Sequence, residues 1–307
     1  MSEAGLEAHL QKGGILVTGG NGMLGRDLVP ELERRGWTVF TPLHSDFDIT
    51  QTSHLERMKK ADGIVWVINC AAYTQVDHAE DDLMKCMAVN ATGAGALAAL
   101  CEDKNWRMVH ISTDFVFDGD SQRPYTEDDP LHPLGAYGHS KMMGEKYVAQ
   151  MHKSAIILRT SWLYGIHGKS FPRTMIEAWL AGKSLKVVND QLGCPTSTVD
   201  LARVIADVVD MAPPAGIYHA AGPNSLTWHG FANLALRAYR GAVLKTDVPI
   251  DVAPCTTAEY PTRARRPLYS VLDTTKLAAT GIAPMRSTVE SLLEFCQRLG
   301  AEKQPPL

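Results

Sequence analysis

Apolar positions cluster in short unbroken runs at Ile15–Val17, Trp37–Phe40, Ile64–Asn69, Met108–Ile111 and Ile156–Leu158. Such runs are too short for core helices and too continuous for strands with one wet face. Between most of them apolar residues recur every three or four positions, as at Leu24, Leu28 and Leu32. Strands apolar on both faces, alternating with amphipathic helices, predict a parallel sheet covered on both sides: an α/β, Rossmann-type doubly wound fold. Gly36 is placed to end the first helix in a left-handed cap. Pro30, well inside that helix, predicts a kink or a late start, since a proline there costs about 3 kcal/mol. Asp77–Glu102 reads as one long alanine-rich helix with Ala79, Leu83, Met87, Ala94 and Leu97 facing inward.

Beyond Arg159 the alternation decays. Phe171–Ala181, Thr198–Met211 and Trp228–Tyr239 read as helices, and Leu185–Val188 and Gly216–Ala220 as strands. Val199–Val209 and Ile217–Ala220 repeat the helix and strand patterns of the first half, so the chain is expected to cross back into the sheet. The predicted division is a sheet domain over 13–160 with return segments near 196–220, and a smaller α/β domain over 161–195 and 221–300. Residues 1–12 read as a leader and 301–307 as a tail.

Composition narrows the function more than the fold. The 307 residues are 45% hydrophobic and 21% charged, with a net charge of −4, which leaves no electrostatic footprint for nucleic acid or an anionic membrane. Six cysteines without a C-x-x-C pair signal neither a zinc site nor a disulfide framework. The leader lacks the basic and apolar regions of a signal peptide, and no uninterrupted apolar run reaches about 18 residues. A cytoplasmic protein without nucleic-acid or membrane partners is expected.

Three segments carry candidate chemistry. Thr18–Gly25 places Gly19, Gly22 and Gly25 directly after a strand and at the start of a helix, where the backbone can approach a dinucleotide pyrophosphate. Asp46 and Asp48 are in range of the adenosine ribose, and no arginine stands there for a 2′-phosphate, so the residues leave NADP and NAD open. Tyr137 and Lys141 share a helix face at i and i+4, the spacing that lets an ammonium assist a phenol in proton transfer to a ketone. His110–Asp114 runs a strand into Thr113, able to bond a reacting carbonyl, and Asp114, able to accept from a sugar hydroxyl; such a sequence also serves as a plain cap.

Other candidates are less specific. Small residues at Cys70, Ala71 and Ala72 before Tyr73 would let a cofactor ribose approach, with Cys70 as filler rather than nucleophile. His110 reads as a core residue or one standing behind the site, and His139 as a solvated spacer. Arg263–Pro267 reads either as a solvated loop or as capture of a substrate phosphate by an arginine. Trp162 is either core or a platform for a sugar face.

Together TGGNGMLG at 18–25, VINCAAYTQVDHAE at 67–80, HISTDFVFDG at 110–119, YGHSK at 137–141, LRTSWLYG at 158–165, VVNDQLGCPT at 187–196 and RPLYSVLD at 266–273 resemble the extended short-chain dehydrogenase/reductases. More narrowly they resemble the dTDP-4-dehydrorhamnose reductase family, from about Gly14 to Leu293. The resemblance implies NAD(P)H-dependent reduction of the 4-keto group of a nucleotide-linked, dTDP-type 6-deoxyhexose. It implies Tyr137 as the acid, Lys141 on the nicotinamide ribose and lowering the tyrosine pKa, and Thr113 orienting the carbonyl. Gly19, Asn21, Gly22, Met23, Leu24, Gly25, Asp48, Ile49 and Cys70–Tyr73 would line the dinucleotide, and Asp114, Trp162 and Arg266 the substrate. NADP(H) is favoured in the family and NAD(H) sometimes accepted. A magnesium ion assists dimer formation in some members, which makes a homodimer and magnesium expectations to test, although that ion's carboxylates have no match here. Gly135–Ala136 departs from the usual Asn–Val pair before the tyrosine. Phe115 after Asp114 disfavours a sugar dehydratase, which places an acidic pair there. A catalytically idle regulatory subunit, like the relative that binds methionine adenosyltransferase, and a nucleotide-sugar epimerase are the rival functions.

Overall fold

The computed structural model describes residues 12–302. In chain order the elements are β1 (Lys12–Thr18), α1 (Met23–Arg34), β2 (Trp37–Phe40), α2 (Thr52–Met58), β3 (Ile64–Asn69), α3 (Leu83–Met87), α4 (Ala94–Asp103), β4 (Arg107–Thr113), α5 (Ala136–Met151) and β5 (Ile156–Thr160). They continue with β6 (Leu163–Tyr164), α6 (Phe171–Leu180), β7 (Leu185–Val188), β8 (Leu192–Gly193), β9 (Thr196–Ser197), α7 (Thr198–Met211), β10 (Gly216–His219), β11 (Leu226–Thr227), α8 (Trp228–Tyr239), β12 (Val252–Cys255), α9 (Thr275–Ala278) and α10 (Thr288–Glu302).

Six strands form the main sheet in the order β2-β1-β3-β4-β5-β10, all parallel. The unbroken apolar runs are explained by the two cores they feed. Ile15, Val17, Trp66, Ile68, Ile156 and Leu158 pack on one face with Leu24, Leu28 and Leu32 of α1 and Leu201, Ile205 and Val208 of α7. Their alternate neighbours Leu16, Val67 and Ile157 pack on the other face with Leu97 and Leu100 of α4 and Val148 of α5. β10 pairs with β5 and α7 packs on α1, so the chain returns to the sheet as its pattern predicts. The chain lays β2 and β3 on opposite sides of β1, which creates a switch point at the carboxyl ends of β1 and β3.

The fully buried residues of a third core lie between Tyr164 and Val187 and between Phe231 and Leu299. Short strand pairs trim it: β7 with β12, β6 with β9, and β8 with β11. A fourth cluster, including Val116, Phe117, Tyr125, Cys194 and Leu272, joins segments from both halves of the chain.

Several local expectations change. α1 starts at Met23 and runs through Pro30, so the helix does not begin late; Gly36 follows it at φ 83°, in the left-handed region expected. The helix predicted over Asp77–Glu102 is broken. A 3₁₀ turn spans His78–Glu80, α3 begins at Leu83, and a π-helical turn at Ala88–Gly93 separates α3 from α4. The wider turn shifts the helical phase, so Ala79, Ala94 and Leu97 are buried as predicted but Leu83 is exposed. Leu83–Asp103 is also long and apolar enough by composition to cross a membrane, with half of it buried inside this fold. Lys12 belongs to β1, and Ala301 and Glu302 to α10 rather than to a tail; the rest of the predicted leader and tail lies outside the described residues.

Candidate active site

The turn from β1 into α1 is shaped by backbone contacts that only glycine allows at two points. Gly19 has φ 68°, and a Cβ there would lie 2.8 Å from the Ala71 nitrogen; a Cβ on Gly25 would lie 2.4 Å from Gly20 Cα. Gly22 caps α1 with no side-chain bond and no acidic residue in the first turn, leaving the first N–H groups of the helix to an anion. A Cβ on Gly22 would meet only the Gly19 carbonyl, at 3.1 Å, so the cradle opens outward at that residue. This arrangement fits a dinucleotide pyrophosphate.

The turn forms one wall of a cavity of about 820 Å³ at the carboxyl end of the sheet. The residues that the family resemblance implies for cofactor, catalysis and substrate all line it: Gly19, Asn21–Gly25, Asp48, Ile49, Cys70–Tyr73, Thr113, Asp114, Tyr137, Lys141, Trp162 and Arg266. Asp46 does not line it; Asp48 does, with its carboxylate accepting from the Thr50 amide at 2.9 Å and the Thr50 hydroxyl at 2.8 Å.

Tyr137 and Lys141 stand on the first turns of α5, which is tied to the sheet through the π-helical turn. Asn90 in that turn accepts from Tyr73 N at 2.8 Å and donates to Ser140 Oγ at 3.0 Å, and Ser140 donates to the Tyr137 carbonyl at 2.7 Å. The unusual Gly135–Ala136 pair has a local reason. Glu80 accepts from Ala136 N at 2.8 Å at the start of α5, and a Cβ on Gly135 would press 2.5 Å from that carboxylate.

Burial pushes the Tyr137 phenol well above its usual value, and the adjacent Thr113 hydroxyl pulls it back. The Phe115 ring meets Tyr137 edge-on at 5.6 Å. Lys141 is buried and donates to the Ile111 carbonyl at 2.6 Å, and burial draws its pKa down to about 8 against the pull of Glu145. Behind the wall, Glu145 holds Arg159 through bonds of 2.9 and 2.7 Å and accepts from Ser112, a fully buried pair that fixes the ends of β4 and β5.

Among the described residues, two buried polar atoms of cavity-lining residues have no hydrogen-bond partner: Asp114 Oδ2 and Thr160 Oγ1. Asp114 Oδ1 accepts from Thr113 at 3.1 Å, and burial raises its pKa to about 6. Trp162 adopts φ 45°, a strained conformation for a bulky residue, and stacks on Trp228 at 3.5 Å and 6°. Gly193 makes room for it, since a Cβ there would lie 2.4 Å from the indole. Trp228 in turn donates its indole N–H to Gln191 at 3.1 Å. Arg266 reaches the cavity from a loop and is gripped by Asp77 at 2.8 and 3.1 Å.

Trp228, Thr160 and Ser161 line the cavity but were not singled out from the sequence. Thr160 and Ser161 fall inside the LRTSWLYG segment, so a strand-end rule applied to β5 as it was to β4 finds them. Trp228 opens a helix whose pattern gives no hint of its partner. Among the described residues, no three or more His, Cys, Asp or Glu side chains are grouped to hold a metal ion.

The family model described as the RmlD substrate binding domain matches residues 13–300. The chain belongs to this family. A dTDP-4-dehydrorhamnose reductase of Streptomyces griseus is 39% identical over 294 residues, 93% of this chain and 95% of that protein. The crystal structure of a dTDP-4-dehydrorhamnose reductase from Clostridium acetobutylicum superposes with a TM-score of 0.87 at 39% identity, covering 93% of this chain and 99% of the other. A Bacillus anthracis dTDP-4-dehydrorhamnose reductase in complex with NADP also gives 0.87, at 33% identity over 94% of this chain and 99% of the other. Family, fold and the reductase resemblance read from the motifs agree with these likenesses.

Proposed function

We propose that the protein is an NADPH-dependent ketoreductase acting on the 4-keto group of a dTDP-linked 6-deoxyhexose. The observation that carries this reading is that a glycine cradle fit for a dinucleotide and the Thr113–Tyr137 pair share one cavity. Segments 13–160 and 196–220 would hold the dinucleotide, and 161–195 and 221–300 the sugar nucleotide. NADP is preferred on the likeness to the Bacillus anthracis protein, while among the described residues the basic side chains lining the cavity are His44, Lys141 and Arg266.

When bound, the reduced nicotinamide supplies a hydride. Tyr137 gives its phenolic proton to the carbonyl oxygen, which Thr113 orients by hydrogen bonding. The raised phenol pKa keeps that proton in place until negative charge develops on the substrate oxygen. Lys141 binds the ribose and Asp114 Oδ2 accepts from a sugar hydroxyl, which gives that orphaned oxygen a partner. The paired indoles of Trp162 and Trp228 form an apolar platform for a sugar face, and Arg266 faces the substrate diphosphate.

The test follows reduced-nicotinamide absorbance with purified protein and a dTDP-4-keto-6-deoxyhexose generated in situ. Substrate-dependent oxidation of NADPH in preference to NADH is expected. Dinucleotide binding without turnover on this substrate would overturn the reading and favour the regulatory-subunit role.

A further inference from the structure

His110 lies fully buried in β4, directly behind Lys141, and the reductase reading gives it no task. Its hydrogen bonds nevertheless determine which ring nitrogen carries the proton. Asn69 Oδ1 accepts from the Ala71 backbone N–H at 3.2 Å and from the Thr18 hydroxyl at 2.7 Å. A backbone N–H can only donate, so the atom facing it must be the amide oxygen, and the amide nitrogen therefore points to His110 Nδ1 at 3.0 Å. Nδ1 accepts, which puts the proton of the neutral ring on Nε2. Burial, then the Lys141 charge, holds the imidazole pKa far below its ordinary value, so the ring is neutral.

Nε2 faces Lys141 Nζ at 3.5 Å. Two donors confront each other when Lys141 is an ammonium; the contact becomes a hydrogen bond when Lys141 is an amine, whose lone pair accepts from Nε2–H while one N–H stays on the Ile111 carbonyl. The other charged or titratable groups facing Nζ are Glu145 on the same helix, Cys70 at the end of β3 and Cys86 in α3. Of these Glu145 is paired with Arg159, and burial raises both thiols.

We propose that His110 is a positioning residue that makes Lys141 a better proton donor by presenting Nε2–H to the neutral amine. This rests on the reductase reading. After Tyr137 has given its proton to the carbonyl oxygen, the Lys141 ammonium, one turn along the same helix, passes a proton to the Tyr137 phenolate, and the amine left behind accepts from His110 until solvent reprotonates it. Asn69 thereby connects this exchange to the cradle, since its amide also bonds Thr18 at the start of the glycine turn.

Two-bond proton–nitrogen correlation spectra of the imidazole rings in the unliganded protein read the tautomer directly and require no turnover. A bare Nδ1 and a protonated Nε2 are expected for His110. The opposite tautomer, with Nε2 accepting from the ammonium, overturns the proposal whatever the enzyme's activity. The second measurement is the titration of Lys141 in protein carrying ¹³C at lysine Cε. His110→Asn keeps an acceptor for Asn69 and removes Nε2–H, so the Lys141 midpoint should rise by about one pH unit and the alkaline limb of kcat should move with it. A folded variant whose Lys141 titrates as in the wild type also overturns the proposal. Failure of the ketoreductase assay with the expected tautomer and titration would instead sink the functional reading and leave the hydrogen-bond assignment standing.

Discussion

The two sides of the cavity are built by different means. The cradle side is made of backbone: glycines in one turn, the bare N–H groups of α1, and small residues at the ends of β1 and β3. The opposite side is made of side chains from distant segments, with Asp114, Trp162, Trp228 and Arg266 each arriving on a different element or loop. A ligand read by backbone is read by its shape and charge, and many nucleotides share those. One read by converging side chains is discriminated group by group, so on the proposed function the second side is where substrate choice would reside.

The sharpest way to break this contrast is to alter the chemistry without touching the cradle. Tyr137→Phe is expected to lower kcat by about 10²–10⁴, the usual worth of a positioned general acid, with the dinucleotide dissociation constant unchanged. Stopped-flow turnover and fluorescence titration of NADPH check the two halves separately. Comparable loss of dinucleotide affinity would show that the two sides are not independent.

Asp114 tests the side-chain face through stability. Its native pKa of about 6 lies above the roughly 3.9 of an unfolded aspartate, so the unfolded chain loses this proton first as pH rises. Stability therefore falls between about pH 4 and pH 6 and stays lower above that window. Asp114→Asn should stabilise the unliganded protein by up to about 3 kcal/mol at pH 8, have little effect below pH 4, and weaken turnover. Melting curves at the two pH values decide it; an equal effect at both would remove the burial argument.

The contrast also explains what was legible in the sequence. Sheet strands are apolar on both faces, and α7 and α8 carry clean amphipathic periods, so their bounds emerge from local pattern. Gly19, Gly22 and Gly25 announce the cradle because the constraint and the residue coincide in one turn. Trp228 could not be found that way: its role exists only because α8 brings it against Trp162, some sixty-five positions away in the chain. The π-helical turn was equally hidden. Nothing local in Ala88–Gly93 marks a widened turn, and the tertiary bridge that Asn90 makes between Tyr73 and Ser140 accounts for it.

Within the cradle, neighbouring glycines should behave differently. Gly25→Ala forces a methyl into Gly20 and should cost about 1–3 kcal/mol of stability, as overpacking does. A methyl on Gly22 would meet only the Gly19 carbonyl, at 3.1 Å, from an extended backbone, so Gly22→Ala should cost far less stability while weakening NADPH binding. Equal melting temperatures for the two variants would contradict the assigned packing.

The smallest effect is expected at the indole pair, where it is also the most selective. Trp228 contributes by holding Trp162 flat, and a stacked aromatic pair is worth about 0.5–1.5 kcal/mol beyond its burial. Trp228→Ala should therefore raise KM for the sugar nucleotide by up to about tenfold, through a Trp162 released from its φ 45° conformation, with little change in kcat. Trp228→Phe should recover most of that loss, since a smaller ring can still stack. If kcat fell while KM held, Trp162 would be acting on the transition state rather than on the bound sugar, and discrimination would extend from the wall of the cavity to the reacting carbon itself.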